Sequence, residues 1–127
     1  MKLILPGEFT DLNTYIRLER GSKWGAASRK KIETERVMWE CKAQRLSLID
    51  GGRFFIFHWY IKNAKKDPDN IAFAKKFILD GMYQAGILVD DTQQYIKGFV
   101  DLFSIDPENP RVELTTMVHL PKELKSR

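Results

Sequence analysis

RFFIFHWYIKN, residues 53–63, carries aromatic and aliphatic side chains at both alternating sets of positions. Such a run is typical of a β-strand covered on both faces, because a strand with one exposed face alternates apolar with polar residues. We therefore expect it to be a central strand of a sheet. A turn at residues 50–52 precedes it, and further strands are predicted at residues 2–5, 87–89 and 94–105.

An amphipathic helix is predicted to follow this strand. From Asn70 onward, apolar residues recur at spacings of 3, 4, 4 and 3, and Gly86 supplies the left-handed residue that ends the helix. Strands that alternate with helices place the chain in the α/β (α+β) class. The apolar positions of this helix are Ile71, Ala74, Ile78, Met82 and Ala85.

A long loop and another helix are predicted nearer the N-terminus. Residues 6–27 are interpreted as a loop, and because connections beyond ~12–15 residues are commonly functional, this one is a candidate contact surface. A partly disordered excursion and an overlooked strand are the alternatives. Ser28 is expected to cap a helix that runs to about Leu46. One side of that helix carries Ile32, Trp39, Ala43 and Leu46.

Composition limits the class of protein. The 127 residues are 43% hydrophobic and fit one domain, residues 1–127, with a core. No apolar run approaches the ~18–20 residues of a membrane span, and a proline and a glycine interrupt the N-terminus too early for a signal peptide. A soluble, cytoplasmic protein is therefore expected. Cys41 is the only cysteine, so a disulfide within the chain and a metal site built on several thiolates are excluded.

Charge is distributed unevenly along the chain. Residues 1–66 hold fourteen lysines and arginines against seven acids, a net +7, whereas residues 67–127 hold seven against ten, a net −3. A basic surface attracts nucleic acid through its phosphates, although many basic proteins have no such partner. Arg29, Lys30 and Lys31 fall in the first turn of the predicted helix, where cations oppose the helix dipole. Such a placement indicates use in binding, with a solvated face as the alternative.

KKDPDNIAFAKK, residues 65–76, places two aspartates among four lysines. Asp67 precedes a proline and is pushed towards extended backbone, so Asp67 and Asp69 can project their carboxylates to the same side. They are candidate metal ligands. The simpler interpretation is that Asp69 caps the following helix, a contribution of ~1 kcal/mol, and that Asp67 belongs to a solvated loop.

A second acidic pair, Asp90 and Asp91, follows one helix later. The two pairs can meet if the next strand runs back alongside the helix. Converging carboxylates without thiolates or imidazoles suit Mg²⁺ or Mn²⁺, which prefer oxygen ligands. His58 and His119 have no second histidine at a metal-binding spacing and are interpreted as packing or surface residues.

The motifs DPDNI (67–71), KKFILDGMYQAGI (75–87) and DD (90–91) together resemble the RusA family of Holliday-junction resolvases. That family carries Asp-x-Asp-Asn, then a helix ending in Asp-(Ala/Gly)-(Leu/Met)-x-x-Ala-Gly, then Asp-Asp. The resemblance covers residues 65–99. LNTYIRLERG (12–21) is similar to the family's basic N-terminal loop, and RVELTTMVHL (111–120) to its closing strand.

The resemblance implies a small α/β protein, a small mixed sheet with two main helices packed on it. It implies a homodimer with Mg²⁺-dependent endonuclease activity on four-way DNA junctions, and the family is often carried by phages. Asp67, Asp69 and Asp91 match the family's metal-binding and catalytic acids, and Asn70 is expected at the DNA.

The family's essential lysine is matched less directly. It lies four residues after the second aspartate of Asp-x-Asp and four before the helical aspartate, which is Asp80 here. Counting forward reaches Phe73, whereas counting back reaches Lys76, so this chain holds three extra residues between the landmarks. We place the insertion ahead of the helix, which makes Lys76 the catalytic candidate. Lys75 is expected to be a solvated or DNA-facing charge.

These assignments give a hypothesis for the reaction. The three aspartates, with carboxylates shared across a dimer, would hold one or two Mg²⁺ ions that activate water, and Lys76 would orient the nucleophile or balance charge. Two subunits related by a dyad suit paired, symmetric nicks. Tyr15 and Trp24 are candidates for stacking on opened bases, with core packing as the alternative. A nuclease for flaps or forks and a non-catalytic DNA-binding protein remain as rival functions. The expected phosphate contacts are Arg17, Arg20, Lys23, Arg29, Lys30 and Lys31.

Overall fold

A mixed sheet of four strands forms one layer of the protein, and the computed structural model describes residues 1–124. The strand order is β1-β4-β2-β3, in which β2 pairs parallel with β3 and the other pairs are antiparallel. This architecture confirms the mixed α/β class and the interior position of β2. The strands are β1 (Lys2–Pro6), β2 (Arg53–Ile61), β3 (Ile96–Ile105) and β4 (Arg111–Met117).

Helices cover one face of the sheet. Phe55, Phe57 and Trp59 of β2 are buried on that face, whereas the alternate residues of β2 are only half-buried. The prediction that β2 is covered on both faces is therefore wrong. The second face carries Phe54, Ile56, His58 and Tyr60, all of which are only partly buried within the described chain. The helices are α1 (Leu12–Gly21), α2 (Lys23–Ala43), α3 (Pro68–Ala72) and α4 (Lys75–Gln84), with a 3₁₀ turn at Lys122–Leu124.

The predicted loop over residues 6–27 is wrong, because α1 and the start of α2 occupy most of it. Asp11 caps α1, accepting a hydrogen bond from the Thr14 backbone nitrogen at 2.7 Å. Ser22 ends α1 and also caps α2, accepting from the Gly25 nitrogen at 3.3 Å. A single residue therefore separates the two helices. Arg29, Lys30 and Lys31 consequently lie in the second and third turns of α2 rather than in its first.

The buried side of α2 also differs from the prediction. Ile32 and Trp39 are about 60% exposed, and the buried positions include Thr34, Val37 and Cys41. The neighbour that selects this side is α4. A Cβ on Gly81 would lie only 2.5 Å from Val37 Cβ and 2.7 Å from the Thr34 carbonyl oxygen, so the glycine permits the close crossing of the two helices.

The predicted helix after Asn70 is divided into α3 and α4, with a turn at residues 73–74. The end of α3 and the turn at residues 73–74 thus separate Asp69 from α4, which begins at Lys75. That this stretch holds an insertion relative to the RusA-type motif stays a prediction. Gly86 has a φ of +78° and follows the helix end as predicted. Residues 87–89 form no strand and contribute a single bridge, between Leu88 and Ile49.

None of the helices within residues 1–124 combines the length and the apolar character that crossing a bilayer requires.

Candidate active site

A basic groove lies between α1 and the segment that leads into α3. It is open to solvent, with a volume of about 560 Å³. Asp67 stands on its wall among cations from both segments. Two of these cations lie on α1, so part of the segment that was predicted to be a contact loop is helical. The cations that line the groove are Arg17, Arg20, Lys65 and Lys66.

Asp67 and Asp69 are both exposed at the start of α3. Asp67 is the N-cap residue, yet its carboxylate makes no capping hydrogen bond. Asp69 lies within the first turn, where its Oδ1 accepts a hydrogen bond from the Asn70 backbone nitrogen at 3.0 Å. The interpretation of Asp69 as the capping residue is therefore not supported. The Asp67 carboxylate has no ion pair within the described chain, which leaves it available to a ligand.

Asn70 joins α3 to α1. It is only 9% exposed, and its side-chain oxygen accepts a hydrogen bond from the Asn13 backbone nitrogen at 2.9 Å. Together with the Asp11 cap, this bond satisfies two of the free N–H groups at the start of α1. Asn70 therefore fixes α1 and its arginines beside Asp67. Contact between Asn70 and DNA stays a prediction.

Lys66 closes the other side of the groove. Its Nζ lies 2.9 Å from Asp11 Oδ2. Burial raises the pKa of Asp11, but hydrogen bonds from Lys66 and Thr14 outweigh that effect, and the net result is a lowered pKa. Asp11 thus remains charged and holds the segment that precedes α3 against the helix that bears Arg17.

Asp91 lies in a separate cluster, together with Asp80 and Lys76. The Lys76 Nζ is 3.1 Å from Asp80 Oδ1 and 3.2 Å from Asp91 Oδ2. Hydrogen bonds to Asp80 and then to Asp91 raise the pKa of Lys76. The hydrogen bond from Lys76 lowers the pKa of Asp91. The Lys76 ammonium group therefore occupies the space between the two carboxylates that a metal cation could otherwise occupy.

Replacing Lys76 by methionine is expected to raise the pKa of Asp91 towards its ordinary value of 3.8, because its main hydrogen-bond donor is lost. The stabilisation from this ion pair is fully present between about pH 3.8 and pH 10.5. It is lost at low pH as the pH falls through the lowered pKa of Asp91, and at high pH as the pH rises through the raised pKa of Lys76. An NMR titration of the Asp91 carboxyl carbon measures the shift. Lys97→Met is the control, because Lys97 is exposed on β3 and away from Asp91's ion pair, and it should leave the Asp91 pKa unchanged. An unaltered Asp91 pKa in the Lys76 variant would contradict the pairing.

The three predicted metal ligands do not come together within one chain. Across residues 1–124, no three acidic, histidine or cysteine side chains are grouped closely enough to hold a metal ion. Asp67 faces the basic groove, whereas Asp91 lines a smaller depression with Asp80, Asp90 and Tyr83. Convergence of Asp91 with Asp67 and Asp69 in one subunit is thus absent from this geometry.

Lys75 has a different role from the one predicted. Its side chain is only 17% exposed, and its Nζ lies 2.6 Å from Asp101 Oδ2 on β3. Asp101 also accepts a hydrogen bond from Trp59 Nε1 at 2.9 Å, and the ammonium lies 4.3 Å from the ring centre of Phe99. Lys75 therefore anchors the start of α4 to the sheet. Its partner lies 26 residues further on, so no local pattern indicates it.

The remaining predicted DNA contacts are divided between surfaces. Lys23 is exposed at the start of α2, and Arg29 donates a hydrogen bond to Thr10 Oγ1 at 3.0 Å. Lys30 and Lys31 line a depression between α2 and α4, away from the basic groove. Of the six predicted cations, Arg17 and Arg20 are the two that line the groove with Asp67.

No family model matches the chain, and no curated protein matches it.

Proposed function

We propose that this protein is a Mg²⁺-dependent endodeoxyribonuclease that cuts branched DNA, with the four-way junction as the leading substrate, in recombination and repair. The observation that carries the proposal is the groove in which an unpaired carboxylate, Asp67, lies among four cations. Cations bind the phosphate backbone, and a carboxylate left without a partner beside them is suited to bind a divalent ion. The proposal also rests on the RusA-type motifs, and it places the protein in the cytoplasm of a bacterium or of a phage-infected cell.

The carboxylates fit a hard cation by their chemistry. Asp67 and Asp69 offer exposed oxygens of the kind that Mg²⁺ or Mn²⁺ prefers. When bound, the ion would lower the pKa of a water molecule and neutralise charge on the phosphate. Because Asp91 lies in another depression of the same chain, we propose that Asp91 of a second subunit completes the ligand set. The working protein would then be a homodimer with two such centres.

Lys76 supports this arrangement through its contact with Asp91. Since the two side chains are joined at 3.2 Å, one subunit would bring both to the partner's Asp67 and Asp69. Lys76 would then lie close to the scissile phosphate, where it can orient the attacking water or balance negative charge. Preorganised donors of this kind lower reaction barriers by roughly 3–4 kcal/mol. Arg17 and Arg20 would hold the adjoining phosphates.

A cleavage assay with labelled synthetic junctions tests the proposal. With Mg²⁺ or Mn²⁺, we expect symmetric nicks in two opposing strands, little cutting of linear duplex, and complete loss of cutting with EDTA. If flaps or forks are cut as fast as junctions, the proposed substrate is wrong but the proposed metal-dependent cleavage of DNA stands. Junction binding without cleavage in either metal would refute the nuclease.

A non-catalytic DNA-binding protein is the second candidate. It is favoured by the absence of a three-carboxylate cluster from residues 1–124 of a single chain. In that case the lysine-bound Asp91 serves only to hold α4, and junction binding is independent of divalent metal. Sedimentation of the protein alone separates the two functions further, because the proposed nuclease requires a dimer.

A further inference from the structure

We infer that Trp24 stacks on an unpaired base of the DNA strand that leaves the basic groove. The inference rests on the proposed function and adds a recognition element for opened, non-duplex DNA. Trp24 is 84% exposed, more than any other large apolar side chain among residues 1–124. Aromatic side chains that stack on unpaired bases are a common means of binding single-stranded nucleic acid.

Trp24 is presented by an exposed corner between two helices. It is the second residue of α2, directly after Ser22, which ends one helix and caps the next. A Cβ on Gly25 would lie 3.8 Å from Leu18 Cδ2, an ordinary contact distance, so α1 and α2 meet at this corner. Because the backbone at Trp24 is already helical, little backbone freedom is lost when the side chain binds.

The arginines of α1 lead from Asp67 towards this corner. Asn13, Arg17 and Arg20 recur at helical spacing and all line the basic groove. At ~1.5 Å per residue, the stripe spans ~10 Å along α1. A strand with a phosphate beside Asp67 that follows the arginines therefore reaches the end of α1, where Lys23 and Trp24 lie.

The charges next to Trp24 favour a polyanion over an apolar protein partner. Arg20 and Lys23 lie beside it in sequence and are exposed. The other cations of residues 20–32 are engaged elsewhere, since Arg29 donates to Thr10 and Lys30 and Lys31 line the depression between α2 and α4. An apolar partner would leave Arg20 and Lys23 without a counter-charge, whereas a nucleic-acid strand supplies phosphates for them and a base for the indole.

The other aromatic candidates are occupied or distant. Tyr15 packs inside the protein, with its ring centre 5.4 Å from that of Phe73 and 5.8 Å from that of Phe77. Trp59 is buried. Trp39 is 61% exposed, but the Lys42 ammonium lies 5.2 Å from its ring centre, and it stands ~22 Å further along α2. Trp39 therefore serves as a matched control.

Trp24→Ala and Trp39→Ala should be compared by fluorescence anisotropy on three labelled DNAs, with EDTA present to prevent cutting. The DNAs are a four-way junction, a single strand and a linear duplex. We expect Trp24→Ala to weaken binding of the junction and the single strand about 5- to 100-fold, and duplex binding less than about 2-fold. Trp39→Ala should change all three less than about 2-fold. Quenching of tryptophan emission by the single strand should persist in Trp39→Phe and disappear in Trp24→Phe.

Equal losses in the two alanine variants, or equal losses on duplex and single strand, would overturn the inference. So would a Trp24→Ala protein that changes its sedimentation behaviour without changing the DNA contrast, because Trp24 would then contact another protein chain. If the unaltered protein binds none of the three DNAs, the proposed function itself fails.

Discussion

Asp67→Asn is expected to slow junction cutting by about 10³-fold or more, a rise of roughly 4 kcal/mol in the activation free energy. The substitution removes one charge from the proposed ligand set and keeps the size of the side chain. It should not disturb folding, because the Asp67 carboxylate makes no capping hydrogen bond or ion pair within the described residues. DNA binding should be retained or tightened, since a negative charge facing phosphate is lost. Single-turnover cleavage and anisotropy on the same junction measure the two effects.

Glu108→Gln provides the control for charge removal, because Glu108 is exposed in the β3–β4 turn and lies outside the groove. It should cut at the rate of the unaltered protein. Asp69→Asn should slow cutting as Asp67→Asn does, because it also removes one charge from the proposed ligand set. It should not disturb folding, since the asparagine side-chain oxygen can still accept the hydrogen bond from the Asn70 nitrogen. Normal cutting by both asparagine variants would remove the acidic pair from the reaction.

The spacing of apolar residues correctly predicted two features of the fold, the buried side of one helix and the interior position of one strand. The apolar side of the helix after the acidic motif is confirmed, because Ala74, Ile78 and Met82 are all buried. The interior position of β2 is confirmed as well. Whether its second face is covered depends on where the helices pack, and the alternation of residues 53–63 contains no information on that packing.

The N-terminal helices were missed although α1 carries a helical signal. Leu12, Tyr15 and Ile16 recur at helical spacing, and Tyr15 packs on Phe73 and Phe77, so this apolar side could have been recognised. The cap from Asn70 could not have been, because Asn70 lies 57 residues from the Asn13 nitrogen that donates to it. Ser22 was overlooked as a cap because Ser28 offered the same signal six residues later.

In the candidate site, too, residues close in sequence could be recognised from the pattern, whereas the contacts between distant residues could not. Asp67 and Asp69 could be found because they are close in sequence; the structure leaves both exposed, and Asp67 lines the groove. The expected meeting with Asp91 required a long-range approach that a single chain does not make. Lys75 and Lys76 are adjacent in sequence but have different partners, because Lys75 pairs with Asp101 of β3 and Lys76 pairs with Asp91. The sequence pattern did not distinguish these two roles.

Gly81→Ala is expected to destabilise the protein by about 3 kcal/mol or more, the upper part of the range for overpacked cores. The new Cβ would stand 2.5 Å from Val37 Cβ and 2.7 Å from the Thr34 carbonyl oxygen. Neither atom belongs to the end of a flexible side chain, so α2 and α4 must move apart. Since Ile78 and Met82 of α4 are completely buried, that movement opens the core. Urea unfolding followed by circular dichroism measures the loss.

Gly21→Ala is the matched helical control, because a Cβ at Gly21 meets nothing within 4 Å. It should leave stability unchanged or raise it slightly, since alanine restricts the unfolded chain. Adding Val37→Ala to Gly81→Ala should recover little stability, because the Cβ of residue 37 and the Thr34 carbonyl remain in the way. Equal unfolding midpoints for Gly81→Ala and Gly21→Ala would mean that the two helices do not cross at this distance. Lys76 would then lose its defined position beside Asp91, because α4 carries it.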